Sequence, residues 1–299
     1  MNENSFLKRA AELGTPVLEY EPLSRYTTFR IGGPARFLAR PAGPAALRAL
    51  RLAAAECGLP CVILGNGSNL LAADEGYPGV VLRTPDGPAV REGDVLRVPA
   101  GALLSRAAQT ALEQGLTGLE FAHGIPGTAG GAAVMNAGAY GGEIAQVLCG
   151  SAASDETGRA FDLGAAEHAF GYRRSVYTAH PDWLCESVSF ALTPGDPAAI
   201  RARMDELAAR RREKQPLEYP SAGSVYKRPE GHFAGRLIED CGLKGRAVGG
   251  AQVSEKHAGF IINTGDATCA DVLALMALVE KAVYERFGVR LEREIRLLK

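Results

Sequence analysis

The sequence predicts a fold that mixes helices and strands, either α/β or α+β, on three observations. Segments with apolar residues at helical i, i+3, i+4 spacing are interleaved with short apolar runs typical of strands. The length of 299 residues corresponds to about two domains at roughly 150 residues each. Apolar residues make up 46% and charged residues 22% of the chain, as in an ordinary globular protein with a sizeable core.

The individual elements follow from local pattern. Helices are predicted at 44–57, 103–115, 196–213 and 271–286, and strands at 61–64, 79–83, 95–101, 186–193 and 259–263. Asp196 and Asp271 stand where helix N-caps are expected. The stretch TPGDPAA at 193–199 breaks the composition before a long charged helix, and the main domain boundary is predicted there.

Charge and targeting signals narrow the class of protein. The net charge of −1 argues against a nucleic-acid partner, since nucleic-acid binding favours a basic patch. The N-terminus MNENSFLKRAAELG has no apolar h-region, and no stretch of about 18 apolar residues could span a membrane. Six scattered cysteines without a C-x-x-C pair predict reduced, buried thiols. Together these features predict a cytoplasmic protein without a metal site.

Two glycine-rich segments stand out, at 64–71 (LGNGSNLL) and 123–143 (HGIPGTAGGAAVMNAGAYGGE). A third element, within 26–38, contains a Gly-Gly-Pro turn. Glycine lets a ligand approach the backbone closely, and successive exposed amides bind anions. GNGSNL lacks the third glycine of the Rossmann fingerprint, and the chain contains no P-loop motif. The segments therefore predict that the protein binds a large phosphate-bearing ligand through neither a Rossmann fingerprint nor a P-loop.

Taken in order, these motifs resemble one enzyme family from about residue 20 onward. TTFRIGGPA, LGNGSNLL, GIPGTAGGAAVMNAGAYGGEI, GYRRSVY, KQPLEYPSAGSVYKRP, LIEDCGLKGRAVGGAQVSEKHAGFIINTGDAT and LEREIRLL are similar to those of the UDP-N-acetylenolpyruvoylglucosamine reductases. One subclass of that family carries a long insertion that supplies a tyrosine over the substrate. SFALTPGDPAAI runs directly from strand to helix here, so the chain resembles the shorter, type II subclass.

The resemblance implies an α+β fold with an FAD-binding region of the vanillyl-alcohol-oxidase type and a C-terminal substrate domain. It places FAD-binding subdomain 1 at 1–75, joined by a C-terminal strand within 288–299, subdomain 2 at 76–195 and the substrate domain at 196–287. The expected strand 288–296 would return to the flavin region. The implied contacts to noncovalent FAD are Arg30, Ile31, Gly32, Gly33, Gly65, Asn66, Gly67, Ser68, Asn69, Gly124, Pro126, Gly127, Thr128, Gly130, Gly131, Asn136, Gly138 and Tyr140.

The implied reaction is reduction of an enolpyruvyl ether to a lactyl ether, with NADPH as the reductant and hydride delivered from reduced FAD to C3. By the resemblance, Arg173 stabilises the charge that develops on the substrate, with its neighbour Arg174 as the rival. Ser224 matches the proton donor to C2, and Glu294 matches the glutamate beside the substrate carboxylate. Without the resemblance, Ser224 would be interpreted as a turn or N-cap serine.

The remaining expectations concern substrate and partners. Lys214, Lys227, Arg228, His257 and Tyr172 are the expected contacts to UDP-N-acetylglucosamine enolpyruvate or to the nicotinamide. Lys214 alone would be explained as a basic residue at a helix C-terminus. NADPH and substrate are expected to use one site in turn, and no obligate protein partner is expected.

Three other functions remain compatible with parts of the sequence. A flavin oxidase of the same superfamily would carry a covalent flavin, for which His123 is a candidate attachment point. A flavin- or nucleotide-binding protein without catalysis would not need Arg173, Ser224 and Glu294 together. A serine hydrolase centred on Ser224 would need a G-x-S-x-G elbow, and AGSVY does not provide one.

Overall fold

The computed structural model describes residues 3–299, which divide into two compact units. The first unit comprises Met1–Leu18, Phe37–Asn66 and Gly79–Arg210, and the second comprises Glu19–Arg36, Gly67–Pro78 and Arg211–Lys299. The first two residues of the first unit lie outside the described part. The three-part domain division implied by the resemblance stays a prediction.

The described residues contain helices and strands in alternation. The helices are α1 (Glu3–Glu12), α2 (Pro44–Glu56), α3 (Leu104–Glu113), α4 (Ala129–Met135), α5 (Val176–Ala179), α6 (Pro197–Lys214), α7 (Ala234–Asp240) and α8 (Cys269–Phe287). The strands are β1 (Val17–Pro22), β2 (Pro34–Ala39), β3 (Cys61–Leu64), β4 (Leu70–Ala72), β5 (Tyr77–Arg83), β6 (Val90–Glu92), β7 (Val95–Pro99), β8 (Leu116–Thr117), β9 (Gly138–Ala139), β10 (Gly142–Glu143), β11 (Leu148–Ser154), β12 (Ala160–Gly164), β13 (Leu184–Ala191), β14 (Thr193–Pro194), β15 (Ser221–Ser224), β16 (Ala247–Val248), β17 (Ala251–Val253), β18 (Phe260–Asn263) and β19 (Arg296–Leu298).

The main sheet of the first unit is antiparallel, with strand order β12-β11-β13-β7-β6. Its core is closed by apolar faces of α3, α4 and α6, including Leu104, Leu112 and Met204. Each fully buried leucine of this kind contributes about 1.5–3 kcal/mol to folding. This packing gives the glycine-rich chain around α4 a rigid support.

A second core of the first unit lies under α1 and α2, where the strand order is β1-β2-β5-β3. Phe6 of α1 meets Phe37 of β2 with ring centroids 5.5 Å apart. Leu47 and Leu50 of α2 are fully buried in the same cluster. β3 pairs in parallel with β5, with Cys61 opposite Val80, and its end delivers the first glycine-rich loop.

The second unit has an antiparallel sheet of order β15-β18-β17-β16, covered by α7 and α8. α8 buries Val272, Leu275, Met276, Val279 and Val283, which is the i, i+3, i+4, i+7 stripe of a helix packed on a core. β19 pairs in parallel with β4, so the chain's last strand lies beside residues 70–72.

The predicted helices and strands are confirmed with boundary shifts of a few residues, and Asp196 is confirmed as an N-cap. Its carboxylate accepts from Ala198 N at 3.1 Å and Ala199 N at 3.3 Å. The prediction for Asp271 is wrong, because Thr268 is the N-cap of α8. Thr268 Oγ1 accepts from Asp271 N at 3.0 Å, and the Asp271 carboxylate accepts from Thr268 N at 3.0 Å, which is a capping box.

The last strand and the segment between β13 and α6 can also be compared with the sequence predictions. The expected strand 288–296 is wrong in extent, since the regular strand spans only Arg296–Leu298. Residues 292–295 instead make a few separate backbone bonds, without a regular ladder. Only β14 lies between the end of β13 at Ala191 and the start of α6 at Pro197, so the insertion of the longer subclass has no counterpart there.

The cysteines are all free thiols: Cys185 and Cys269 are buried, and Cys57, Cys61, Cys149 and Cys241 are half-buried. Burial raises the pKa of the Cys61 and Cys185 thiols to about 12, which keeps them protonated. No helix within residues 3–299 combines the length and the apolar character needed to cross a membrane. The same residues contain no group of three or more His, Cys, Asp or Glu side chains that could hold a metal.

Candidate functional site

Backbone strain marks several of the predicted site residues. Within the described chain, six non-glycine residues have a positive φ, and four of them are predicted site residues: Arg30 (57°), Asn136 (42°), Tyr140 (54°) and Arg173 (55°). A left-handed conformation costs an ordinary residue roughly 1–2 kcal/mol. Such strain persists only where the surroundings enforce it, and it concentrates at functional sites.

In the first unit, the loop after β3 contacts the second glycine-rich segment. The Asn66 amide donates to the Pro126 carbonyl at 2.6 Å. A Cβ at Gly65 would lie 2.7 Å from Thr128 Oγ1, so only glycine allows this approach. The fold therefore brings together two segments that the sequence keeps about 60 residues apart.

The N-terminal amides of α4 are already engaged by the protein. Ala129 N and Gly130 N donate to backbone carbonyls at 2.8 and 2.9 Å, and Gly131 N donates to Thr128 Oγ1 at 3.2 Å. A Cβ at Gly130 would lie 2.7 Å from the Ala100 side chain, so this glycine serves close packing. A phosphate on this loop would therefore meet amides that precede Ala129.

Tyr140 lies at the tip of a two-residue hairpin between β9 and β10. Gly142 pairs with Ala139, and both turn residues, Tyr140 and Gly141, have positive φ. That is the pattern of a type I′ turn, whose backbone twist matches the flanking strands. The guanidinium of Arg210 lies 5.0 Å from the centroid of the Tyr140 ring. Gly138 pairs with Glu143 in the same hairpin.

Arg173 lies in a tight turn that is closed by backbone bonds between Gly171 and Arg174. Gly171 N donates to Arg174 O at 3.1 Å, and Arg174 N donates to Gly171 O at 3.2 Å. Of the two central residues, only Arg173 has positive φ, which is the type II arrangement that ordinarily requires glycine or asparagine. The Arg173 guanidinium lies 5.1 Å from the Tyr172 ring, and Tyr172 is 53% exposed.

In the second unit, the Gly-Gly-Pro turn is built by close backbone approach. A Cβ at Gly33 would lie 2.0 Å from a backbone carbonyl oxygen, and a Cβ at Gly32 would lie 2.6 Å from the Ala72 side chain. Ile31 is buried, and the neighbouring Arg30 is exposed. Protein packing therefore explains these two glycines, and the exposed residues here are Arg30 and Pro34.

Residues 67–69 of the second unit hold the C-terminal segment. The Asn69 amide donates to Glu294 O at 3.1 Å, and Asn69 O accepts from Arg296 N at 3.0 Å. A Cβ at Gly67 would lie 2.2 Å from a backbone carbonyl oxygen, and Ser68 is half-buried beside it. Asn69 is thus a structural link, whatever else it binds.

The second unit also brings Ser224 and Glu294 together. Ser224 ends β15, and the backbone of the next residue, Val225, accepts from Glu294 N at 2.8 Å. Two residues on, Lys227 N donates to Glu292 O at 2.8 Å. Ser224 and Glu294 are therefore close along paired backbone segments, and Ser224 is not a helix cap.

The cations after Ser224 already have partners in the second unit. Lys227 Nζ forms an ion pair with the Glu292 carboxylate, and the Arg228 guanidinium lies 4.4 Å from the Phe233 ring centroid. Lys227 is half-buried, whereas Arg228 is exposed. Glu292 therefore offsets the charge of Lys227, which the resemblance names as a substrate contact.

His257 and Lys214 differ sharply in their surroundings. His257 Nδ1 accepts from Gly259 N at 3.1 Å, which assigns the proton to Nε2, and its ring meets Phe260 edge-on at 5.0 Å. Burial lowers the pKa of His257. Lys214 is exposed at the end of α6.

Sequence reasoning missed a buried hydrogen-bonded chain in the first unit. His168 Nδ1 bonds Gly164 O at 2.8 Å, which makes Nε2 the acceptor for the Ser151 hydroxyl at 2.8 Å. Ser151 Oγ in turn lies 2.6 Å from the Tyr177 hydroxyl. The His168 ring stacks on Phe170 at 5.1 Å, just before the Arg173 turn. No local motif signals this chain, because Ser151 lies in β11, Tyr177 lies in α5 and His168 lies in the turn after β12, and only the fold brings them together.

The glycine-rich segment also contains an unsatisfied buried group. His123 Nδ1 is buried and has no hydrogen-bond partner within residues 3–299. Buried polar atoms in native proteins almost always have a partner, so this nitrogen fits a ligand group or an ordered water. It precedes Gly124 and Gly127, and Gly131, later in the same segment, is exposed. These residues fit a bound polar cofactor such as FAD.

Comparison with known proteins identifies the family. The profile described as "FAD binding domain" matches residues 35–164, and "UDP-N-acetylenolpyruvoylglucosamine reductase, C-terminal domain" matches residues 215–298. These matches and the observed elements confirm the predicted α+β class with an FAD-binding region.

Similar proteins cover nearly the whole chain. UDP-N-acetylenolpyruvoylglucosamine reductase of Clostridium novyi is 47% identical over 277 residues, which are 92% of this chain and 90% of that protein. The enzyme of that name from Geobacillus kaustophilus is 49% identical over 284 residues, covering 94% and 93%. The crystal structure of the Thermus caldophilus UDP-N-acetylenolpyruvylglucosamine reductase (MurB) superimposes with a TM-score of 0.80 at 35% identity, covering 95% of this chain and 99% of that one. The chain therefore belongs to the UDP-N-acetylenolpyruvoylglucosamine reductase family.

Proposed function

We propose that the protein reduces UDP-N-acetylglucosamine enolpyruvate to UDP-N-acetylmuramate with NADPH, using noncovalent FAD. The observation that carries this proposal is the backbone pairing that sets Glu294 beside the Ser224 segment. The family resemblance assigns these two residues to the proton-transfer end of the reaction. The relatives of the same name, 47% and 49% identical over most of the chain, support the substrate.

FAD, when bound, supplies the hydride carrier between NADPH and C3 of the enolpyruvyl group. We assign its contacts in the first unit to Gly65, Asn66 and the glycine-rich stretch 124–140, except Asn136, whose side chain bonds within the protein. Those in the second unit are assigned to 30–33 and 67–69. Some backbone amides of these loops, such as Gly33 N and Gly130 N, already donate to protein carbonyls. We propose that these residues shape the loops around FAD. The predicted division into two FAD-binding subdomains and a substrate domain is part of the same proposal.

The charge that develops on the substrate during the reaction assigns a role to each proposed catalytic residue. Hydride addition at C3 places negative charge on C2 and its carboxylate, and Arg173 offers a permanent, planar cation for that charge. The Ser224 hydroxyl gives its proton to C2; a serine is a weak acid, and a carbanion is basic enough to take the proton. Glu294 orients the substrate carboxyl group and shares a proton with it.

Substrate contacts are proposed for Lys214, Lys227, Arg228, His257 and Tyr172. Lys227 must break its ion pair with Glu292 to contact the substrate. His257 can donate from Nε2 while Nδ1 keeps the hydrogen bond from Gly259 N. NADPH and the enolpyruvyl substrate use this site in turn. We further propose a cytoplasmic location, with no nucleic-acid partner and no obligate protein partner.

A single spectroscopic experiment tests the function. Purified protein should show an oxidised flavin spectrum that bleaches with anaerobic NADPH and recovers when UDP-N-acetylglucosamine enolpyruvate is added. UDP-N-acetylglucosamine, which lacks the enolpyruvyl group, is the matched control and should leave the flavin reduced. Absence of flavin, or no recovery with the enolpyruvyl substrate, would overturn the proposal.

Denaturation distinguishes the covalent alternative at His123. Acid precipitation should release the yellow colour to the supernatant if FAD is noncovalent. Colour retained in the pellet would favour a covalently flavinylated oxidase, and His123→Ala would then release it.

A further inference from the structure

The turn that carries Arg173 is linked at both ends to the C-terminal end of α4, by the Asn136 side chain on one side and by the Ser175 side chain on the other. On one side, Asn136 Nδ2 donates to Gly171 O at 3.2 Å. On the other, Ser175 Oγ donates to Val134 O at 2.8 Å. Asn136 is 2% exposed and Ser175 is 4% exposed, so both donor residues are buried.

The Asn136 amide is fixed by a second bond. Its Oδ1 accepts from Ala145 N at 2.9 Å, which sets the amide orientation and aims Nδ2 at Gly171. Gly171 O also accepts the bond that closes the turn, from Arg174 N, so one carbonyl joins the turn to Asn136. Asn136 is the left-handed C-cap of α4, a position that suits asparagine.

The left-handed backbone of Arg173 needs such support. An arginine at this φ persists only where its surroundings over-determine the turn. Within the turn, the two bonds between Gly171 and Arg174 fix its ends relative to each other, but not its position in the unit. The bonds from Asn136 and Ser175 supply that position.

We propose that Asn136 and Ser175 are positioning residues that hold the Arg173 turn in its reactive place. The inference rests on the proposed function, because it takes Arg173 as the group that stabilises the substrate charge. It assigns Asn136 to the protein side of the site, whereas the family resemblance counted it as an FAD contact. The Asn136 side chain acts through Gly171 and Arg173.

The variant Asn136→Asp keeps one hydrogen bond of the Asn136 side chain and removes the other. Aspartate keeps the left-handed tolerance and the acceptor for Ala145 N, but places an oxygen against Gly171 O. We expect reoxidation of the reduced enzyme by the enolpyruvyl substrate to slow by roughly 10- to 100-fold, the cost of a misplaced catalytic group. FAD content and reduction by NADPH should stay near wild type.

Ser175 provides an independent pair of variants. Ser175→Ala removes the bond to Val134 O and should slow reoxidation by about tenfold, and Ser175→Thr should restore much of the rate because it keeps the hydroxyl. This pair decides the proposal if Asn136→Asp fails to fold. Equal rates for the alanine and threonine variants would overturn the role of Ser175.

The decisive readout is a double-mutant cycle with Arg173→Gln, measured by single-turnover reoxidation. If Asn136 acts through Arg173, Asn136→Asp should add little in the Arg173→Gln background. An equal slowing in both backgrounds, or loss of FAD with a normal rate per bound FAD, would overturn the inference. A wild-type enzyme that the substrate cannot reoxidise would instead refute the proposed function.

Discussion

The two units hold their proposed catalytic side chains by different means. In the first, Arg173 lies in a strained turn that side chains fix to the end of α4. In the second, Ser224 and Glu294 lie on extended segments joined by main-chain bonds, with Glu294 N donating to Val225 O. A site built on main-chain bonds should tolerate side-chain changes without losing its geometry, and a site built on a clamped turn should not.

The largest effect is expected in the second unit. Ser224→Ala removes the proposed proton donor without touching a main-chain bond, so reoxidation by the enolpyruvyl substrate should slow by about 10³- to 10⁴-fold, the upper range for general acid catalysis. Reduction by NADPH should be nearly unchanged, and the free energy of unfolding should move by less than about 0.5 kcal/mol. Stopped-flow absorbance separates the two half-reactions.

The matched control for that variant is Ser221→Ala, at the other end of β15. Ser221 contributes its carbonyl to Thr28 Oγ1 at 2.7 Å, and alanine retains that carbonyl. Its half-reactions should resemble the wild type. Equal slowing of both half-reactions in Ser224→Ala would show that Ser224 is not the proton donor.

A somewhat smaller effect is expected from the turn in the first unit. Arg173→Gln removes the cation that faces developing charge, and reoxidation should slow by about 10²- to 10³-fold, as when a single stabilising donor is lost. Arg174→Gln, one residue away, is the control and should retain most of the rate. A larger loss in Arg174→Gln than in Arg173→Gln would exchange their roles.

The smallest effect concerns pH and the buried chain behind that turn. Burial lowers the pKa of His168 below its ordinary value of 6.5, because the folded protein disfavours the charged ring. As the pH falls through 6.5, His168 therefore takes up a proton in the unfolded chain before it does so in the folded protein. The free energy of unfolding should decrease from about pH 6.5 downward. His257 contributes in the same direction, since burial also lowers its pKa.

Urea unfolding at pH 7, 6 and 5 measures this dependence. His168→Gln removes one of the two groups, so the decrease should become shallower while part of it, from His257, remains. Carboxylates with lowered pKa, such as Asp271, lose their contribution only at more acidic pH. A decrease that is identical in the wild type and His168→Gln would show that His168 does not titrate differently in the two states.

Long periodic segments were predictable from the sequence, because local pattern alone specifies them. α2, α3, α6 and α8 coincide with the predicted helices to within a few residues. The N-cap of α8 was misassigned because both Thr268 and Asp271 can cap a helix, and only the reciprocal bonds show which residue comes first. The extent of the last strand was wrong because its pairing partner lies far away in the sequence.

The contacts that support the proposed site could not be predicted from the sequence. The motifs singled out Arg173, Ser224 and Glu294, whose roles remain proposals. The engagement of Gly130 N and Gly33 N by protein carbonyls could not be anticipated, because it depends on which chain segments meet in space. The ion pair of Lys227 with Glu292 was likewise hidden, since the two residues are adjacent only through paired backbone. Asn136 offered one overlooked signal, an asparagine directly after a short helical segment.

The pairing of β19 with β4 also imposes an order on folding during biosynthesis. β4 leaves the ribosome early, but its parallel partner at Arg296–Leu298 is synthesised only after the whole of the intervening chain. The first unit ends at Arg210 and has all its segments by then, whereas the second must wait for the residues that Asn69 and β4 hold. Such distant contacts form slowly, so β4 should stay exposed to chaperones and proteases throughout translation.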